Sequence, residues 1–124
     1  MNPLLINVTN TGLLDTQGDV RCALHRPGSE FPSDTGAFLR VQQPAQPGAV
    51  ECRFPNVAPG RYAVAVLVDR NKNGKTDKNF LGMPTEPWGV SNNVRHKTRA
   101  PRFDEAAIDL AGPAPHRITI QVDK

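Results

Sequence analysis

The segment Arg61 to Val68, RYAVAVLV, limits the fold more than any other stretch of the chain. Apolar residues occupy its odd and its even positions alike. Successive side chains of a strand point to opposite faces, so a strand of this kind has to be covered on both sides, as the middle of a sheet is. Pro59-Gly60 directly before it marks a tight turn.

The remaining apolar runs are short and alternate. Leu4 to Val8 (LLINV) reads as a first strand, broken by Asn10, Thr11 and Gly12. Asp19 to His25 (DVRCALH) alternates as a half-buried strand does. Pro27 to Gly36 is rich in turn residues, and Ala37 to Val41 fits a short edge strand or a helical turn, ended by Pro44, Pro47 and Gly48. Ala49 to Phe54, Ala106 to Leu110 and Arg117 to Val122 complete the set, with a turn through Gly112 to Pro115. Six or seven short strands separated by turn signals predict an all-β chain, a single antiparallel β-sandwich of prealbumin-like or Ig-like type over residues 1–124. Lys78 to Phe103 shows no sustained period and reads as one long ordered loop, a feature that is often functional. Phe103 to Ala106 fits one helical turn; no longer helix is expected.

Size and composition agree with one domain. A chain of 124 residues hides about two thirds of the surface that its unfolded form exposes, enough for a core of its own. The 12 Pro and 10 Gly suit many turns between short strands rather than long helices. The net charge of +3 is mild, and only Arg95, His96, Lys97, Arg99 and Arg102 cluster. That cluster reads as a solvated basic loop or as an anion site, and nucleic acid is not expected as a partner. No apolar run is long enough to span a membrane. Met1, Asn2 and Pro3 lead straight into a strand pattern, so the chain reads as cytosolic or as one whose leader has been replaced by Met1.

Cys22 and Cys52 lie on the apolar faces of their strands, beside Val20 and Leu24 and beside Val50 and Phe54. Two packed free thiols and one disulfide both fit; the disulfide requires an oxidising compartment and Cα atoms within about 7 Å.

The sharpest chemical pattern follows the central strand: DRNKNGKTD, Asp69 to Asp77. Asp69, Asn71 and Asn73 put side-chain oxygens at alternate positions, Gly74 permits the sharp turn, Lys75 needs to offer only its backbone carbonyl, and Asp77 adds a carboxylate. Calcium takes hard oxygen ligands in this arrangement. The position where an EF-hand has its bidentate Glu is Phe80, and no helix flanks the loop, so this is not an EF-hand; Glu86 is the nearest further acid. Arg70, Lys72, Lys75 and Lys78 dilute the negative charge, and the affinity expected is weak, about 10⁻⁴–10⁻³ M. The competing reading is a plain hairpin turn at Asn73-Gly74 with an Asx turn before it. A metal here would staple the loop rather than catalyse, because no neighbouring base is in evidence.

Other polar residues give less. His25, His96 and His116 lie far apart and are expected at the surface. Ser91 has no nucleophile-elbow setting. Trp88 either anchors the long loop on the sandwich or offers a stacking platform, and Ser91, Asn92 and Asn93 either bind a ligand or satisfy the loop backbone. Tyr62 is expected in the core, with its hydroxyl bonded near the sheet edge.

The stretch from Pro55 to Asn93 resembles a family of bacterial exported proteins of unknown function. The resemblance is carried by Pro59, Gly60, Tyr62, Ala63, Asp69, Asn71, Asn73, Gly74, Asp77, Asn79, Gly82, Pro84, Glu86, Gly89, Ser91, Asn92 and Asn93, and by the later Pro-Arg-Phe-Asp segment at Pro101 to Asp104. It implies export with the leader removed, and it implies no activity. The Phe54…Pro59-Gly60-x-Tyr62 pattern is similar, more distantly, to prealbumin-like modules such as carboxypeptidase regulatory domains and Cna B-type repeats. Enzymes on that fold use a two-Tyr, two-His iron site or a Tyr-Arg-Gly-Ser-like tail; this chain has one Tyr and ends Gln-Val-Asp-Lys.

The expectation is therefore a non-catalytic binding or structural module of the cell envelope, periplasmic or extracellular. Calcium would sit at Asp69, Asn71, Asn73, Lys75, Asp77 and Glu86. Trp88, Ser91, Asn92, Arg95 and Arg99 would form a contact surface for a saccharide or another envelope protein. The alternatives are a hydrolase using the loop from Asp69 to Asn93 and an anion- or polysaccharide-binding module using Arg95 to Arg102.

Overall fold

A computed structural model describes residues 2–10, 18–28, 31, 37–45, 49–69, 87–96, 101–111 and 116–122. In these the chain forms β1 (Asn2–Asn10), β2 (Asp19–His25), β3 (Leu39–Pro44), β4 (Ala49–Val57), β5 (Gly60–Asp69), β6 (Trp88–Val90), a 3₁₀ turn (Ser91–Asn93), α1 (Phe103–Ala106), β7 (Ile108–Leu110) and β8 (His116–Val122). Two sheets result. One has the order β4-β1-β8; the other has the order β3-β2-β5-β6, with β7 also paired to β5. The expected all-β sandwich is what these strands build.

The alternation in the sequence explains which side of each strand is dry. Leu4, Ile6 and Val8 of β1, Val50, Cys52 and Phe54 of β4 and Ile120 and Val122 of β8 meet Val20, Cys22 and Leu24 of β2 and Val64, Val66 and Val68 of β5 in one core. Each of the Val, Leu, Ile and Phe side chains among them contributes about 1.5–3 kcal/mol when fully buried, by leaving water. The strand that constrained the fold at the outset behaves as its pattern requires. One face of β5 enters this core, while Ala63 and Leu67 on the other join Trp88, Val90 and Ala106 in a second cluster, flanked by Phe31 and Phe103. Both edges of β5 are also paired, to β2 on one side and to β6 and β7 on the other. Tyr62 is buried, and its hydroxyl donates to the Ala58 carbonyl at 2.7 Å across the β4–β5 turn.

Several expectations are refined. Eight strands are present among the described residues, one more than expected, because β6 is a three-residue strand, too short to show a period. Ala106 ends α1 instead of opening a strand. The pairing of β1 with β8 is parallel, which hydropathy alternation cannot report, since it records which face is buried and not chain direction. His25, expected at the surface, is fully buried, its ring edge-on to Phe31 at 5.1 Å. The residue lies on the outer face of its sheet, where Phe31 packs on it and is itself edge-on to Phe103 at 6.1 Å.

Cys22 and Cys52 form a disulfide, with Cα atoms 6.6 Å apart. The bond runs from β2 in one sheet to β4 in the other, so it ties the sandwich together across its core.

Candidate functional site

The described residues that flank 70–86, where most of the candidate calcium ligands fall, lie side by side. Asp69 closes β5 and is the direct cross-strand partner of Asp19, which opens β2. One residue back, the Val68 N–H donates to the Pro87 carbonyl at 2.9 Å. The chain thus departs after Asp69 and returns at Pro87 beside its point of departure. Asp19 Oδ2 accepts a hydrogen bond from Gln42 Nε2 at 3.0 Å, which ties this root to the edge strand β3. Asn71, Asn73, Lys75, Asp77 and Glu86 lie outside the described residues, and Asp69 is described in its backbone alone. Among the described residues no group of three or more His, Cys, Asp or Glu is placed to hold a metal ion.

Beyond Pro87 the chain forms a strap whose side chains are spent on the fold. Trp88 is buried at 5% exposure, and it is not the open stacking platform that its sequence context allowed. The Arg95 guanidinium lies 4.0 Å above its ring centroid and donates from Nη1 to the Trp88 carbonyl at 2.8 Å. A cation over an indole face is attracted by the ring quadrupole, so Arg95 caps the anchor. Of the basic cluster, His96 Nε2 meets Glu105 Oε2 at 2.9 Å; Arg99 lies outside the described residues.

Ser91, Asn92 and Asn93 each bind a different part of the fold. β6 covers β5 at Ala65 to Leu67 and β7 covers it at Gly60 to Tyr62, and the gap between them falls at Val64. There the fully buried Ser91 hydroxyl accepts the Val64 N–H at 3.0 Å and donates to the Ala106 carbonyl. Asn92 Nδ2 donates to the carbonyls of Glu105 at 3.2 Å and Ala107 at 3.0 Å, which bracket the end of α1. Asn93 Nδ2 donates to the Thr119 carbonyl at 3.3 Å, and its Oδ1 accepts the Gln121 N–H at 2.8 Å. Both Asn residues have positive φ, 63° and 54°, a conformation that Asn tolerates better than most residues. Ser91 and Asn92, read from sequence as ligand contacts or as partners of the loop backbone, thus both bond backbone of the fold, Ser91 buried and Asn92 exposed.

Gly89 has a role that the sequence reading passed over. A Cβ there would stand 2.3 Å from the Gln121 carbonyl oxygen and 2.9 Å from Ile120 Cγ2, so only glycine lets β6 come this close to β8. The concavity beside it, lined by Gly89, Val90, Asn93, Val94, Arg95 and Gln121, holds about 140 Å³, below the 300–1,000 Å³ usual for small-molecule pockets.

Fold and site together define a disulfide-tied β-sandwich in which Asp69 and Pro87, the described residues on either side of 70–86, lie side by side. The chain belongs to the family described as "Uncharacterized protein conserved in bacteria (DUF2141)", which it matches over residues 8–119. No curated protein and no solved structure matches it.

Proposed function

We propose that this chain is a non-catalytic binding or structural module of the bacterial cell envelope, in which the loop rooted at Asp69 and Pro87 takes up calcium weakly and is fixed by it. The observation that carries this reading is the register of β2 and β5, which makes Asp19 and Asp69 direct cross-strand partners. Like-charged residues placed opposite each other weaken a sheet, and a divalent cation at the root relieves that repulsion. The alternate oxygens at Asp69, Asn71 and Asn73, followed by Asp77, begin at the same point, and Glu86 directly precedes Pro87 in the chain.

Location outside the cytoplasm is supported by the disulfide between Cys22 and Cys52, since such bonds persist in oxidising compartments. The strap from Trp88 to Asn93 supplies rigidity, so a saccharide or envelope-protein partner would meet the loop that the strap holds. A calcium titration followed by amide NMR tests the reading. Shifts confined to residues 69–86 and to Asp19, abolished by Asp69→Ala, support it; spectra unchanged at millimolar calcium leave only a hairpin turn.

A further inference from the structure

Cys22 and Cys52 are 1% and 0% exposed, and both belong to the core shared by the two sheets. Cys22 stands between Val41 of β3 and Val66 of β5 in its sheet, and Cys52 is paired with Ile6 of β1 in the other. Thiol–disulfide exchange needs a thiolate to reach a sulfur from outside through a mixed-disulfide intermediate. Among the described residues the closed sandwich leaves neither cysteine open to such an approach. At Gly89 the strands β6 and β8, one from each sheet, also approach more closely than a Cβ allows.

We infer that the Cys22–Cys52 bond is installed by an external disulfide-bearing oxidant acting on the chain before the two sheets close, and that closure then shields the bond from exchange. The chemistry balances through exchange. The thiolate of one cysteine attacks the oxidant's disulfide, forming a mixed disulfide and expelling one oxidant thiolate. The thiolate of the other cysteine then attacks this chain's sulfur in the mixed disulfide. The intramolecular bond forms, the second oxidant thiolate leaves, and the two electrons and two protons lost by the cysteines end on the oxidant's two thiols. The partner implied is a thiol–disulfide oxidase that accepts unfolded chains, and the event belongs to the interval between synthesis and folding. The inference shares with the envelope reading the need for an oxidising compartment, but its test uses purified protein and does not depend on location.

The purified oxidised chain is treated with dithiothreitol across a urea series, and free thiols are counted over time. The expected result is reduction at least about a hundredfold slower in buffer than above the unfolding transition, with the rate in buffer tracking the opening of the chain. In the reverse arm the reduced chain is exposed to oxidised glutathione. Oxidation that is fast in urea and slow after transfer to buffer agrees. A reduced chain that stays unfolded until oxidised agrees as well, since the bond then precedes closure. Reduction in buffer within about threefold of the rate in urea overturns the inference, because the sulfurs are then reachable in the closed sandwich.

Discussion

Asn93 pairs with Gln121 as though its side chain were a strand: Oδ1 accepts the Gln121 N–H at 2.8 Å while Nδ2 donates to the Thr119 carbonyl at 3.3 Å. β8 is an edge strand of its sheet, and one amide side chain satisfies part of that edge and binds it to the other sheet. Asn93→Ala removes both bonds and puts Ala at a φ of 54°. The two bonds account for about 1–3 kcal/mol, each contributing about 0.5–1.5 kcal/mol, and the left-handed backbone adds about 1–2 kcal/mol for Ala. Asn93→Gly keeps the conformation and loses only the bonds, so it should fall between wild type and Ala. Urea denaturation measures all three, and a Gly variant as stable as wild type would remove the clasp from the account.

Ser91→Ala should cost more, because its partners are buried. The Val64 N–H and the Ala106 carbonyl both lose the hydroxyl, and a buried group left unpaired costs about 1–3 kcal/mol. A loss of about 2–4 kcal/mol is expected, together with faster hydrogen exchange at the Val64 amide. Unaltered protection of that amide would mean that β5 does not depend on Ser91 to bridge the gap between β6 and β7.

Gly89→Ala tests how closely the sheets approach. The added methyl meets backbone at Gln121 and the Ile120 side chain inside contact distance, and backbone cannot step aside as a flexible side chain can. Overpacking of this kind costs about 1–3 kcal/mol and sometimes more, so the midpoint of thermal unfolding read by circular dichroism should drop by several degrees. An unchanged midpoint would show that β6 and β8 stand further apart.

The frame was legible in the sequence because its cause is hydropathy. Alternation at Asp19 to His25 and Ala49 to Phe54 marks the dry faces, and the doubly apolar Arg61 to Val68 marks the centre of a sheet. The strap was legible only as one of two readings, Trp88 as an anchor and Ser91, Asn92 and Asn93 as partners of backbone, since the bonds from their side chains run to distant backbone and leave no period that would decide it. The ring of His25 packs against Phe31, which in turn meets Phe103 from far along the chain. Cys22 and Cys52 could be placed in the core from their neighbours, but their joining depended on how the two sheets stack. Of the candidate metal residues, Asp69 gains a structural neighbour in Asp19; the others still stand on their sequence spacing.

Replacing both cysteines by Ala measures what the covalent tie contributes. The bond closes a sequence separation of 30 residues, and chain-entropy reasoning gives about 3–4 kcal/mol for a loop of that length. Guanidinium denaturation of the double variant against the oxidised chain should show a loss of that size. A loss below about 1 kcal/mol would mean that the unfolded chain is already compact around these positions.

Asp19→Asn separates repulsion from metal binding at the loop root. Asn keeps an acceptor for Gln42 Nε2, which bonds Asp19 Oδ2 at 3.0 Å, and it removes one of the two opposed charges. Without calcium the variant should be more stable than wild type by about 0.2–1 kcal/mol, the range for a cross-strand pair. With calcium the order should reverse. A site with Kd of about 10⁻³ M gains about 1.4 kcal/mol at about 10 mM calcium through mass action, and a root with one carboxylate fewer should gain less. Paired unfolding curves with calcium and with chelator read both effects on one protein. Destabilisation in chelator would show that the bond to Gln42 outweighs any repulsion from Asp69, and an equal calcium gain in the two proteins would place Asp19 outside the cation's reach.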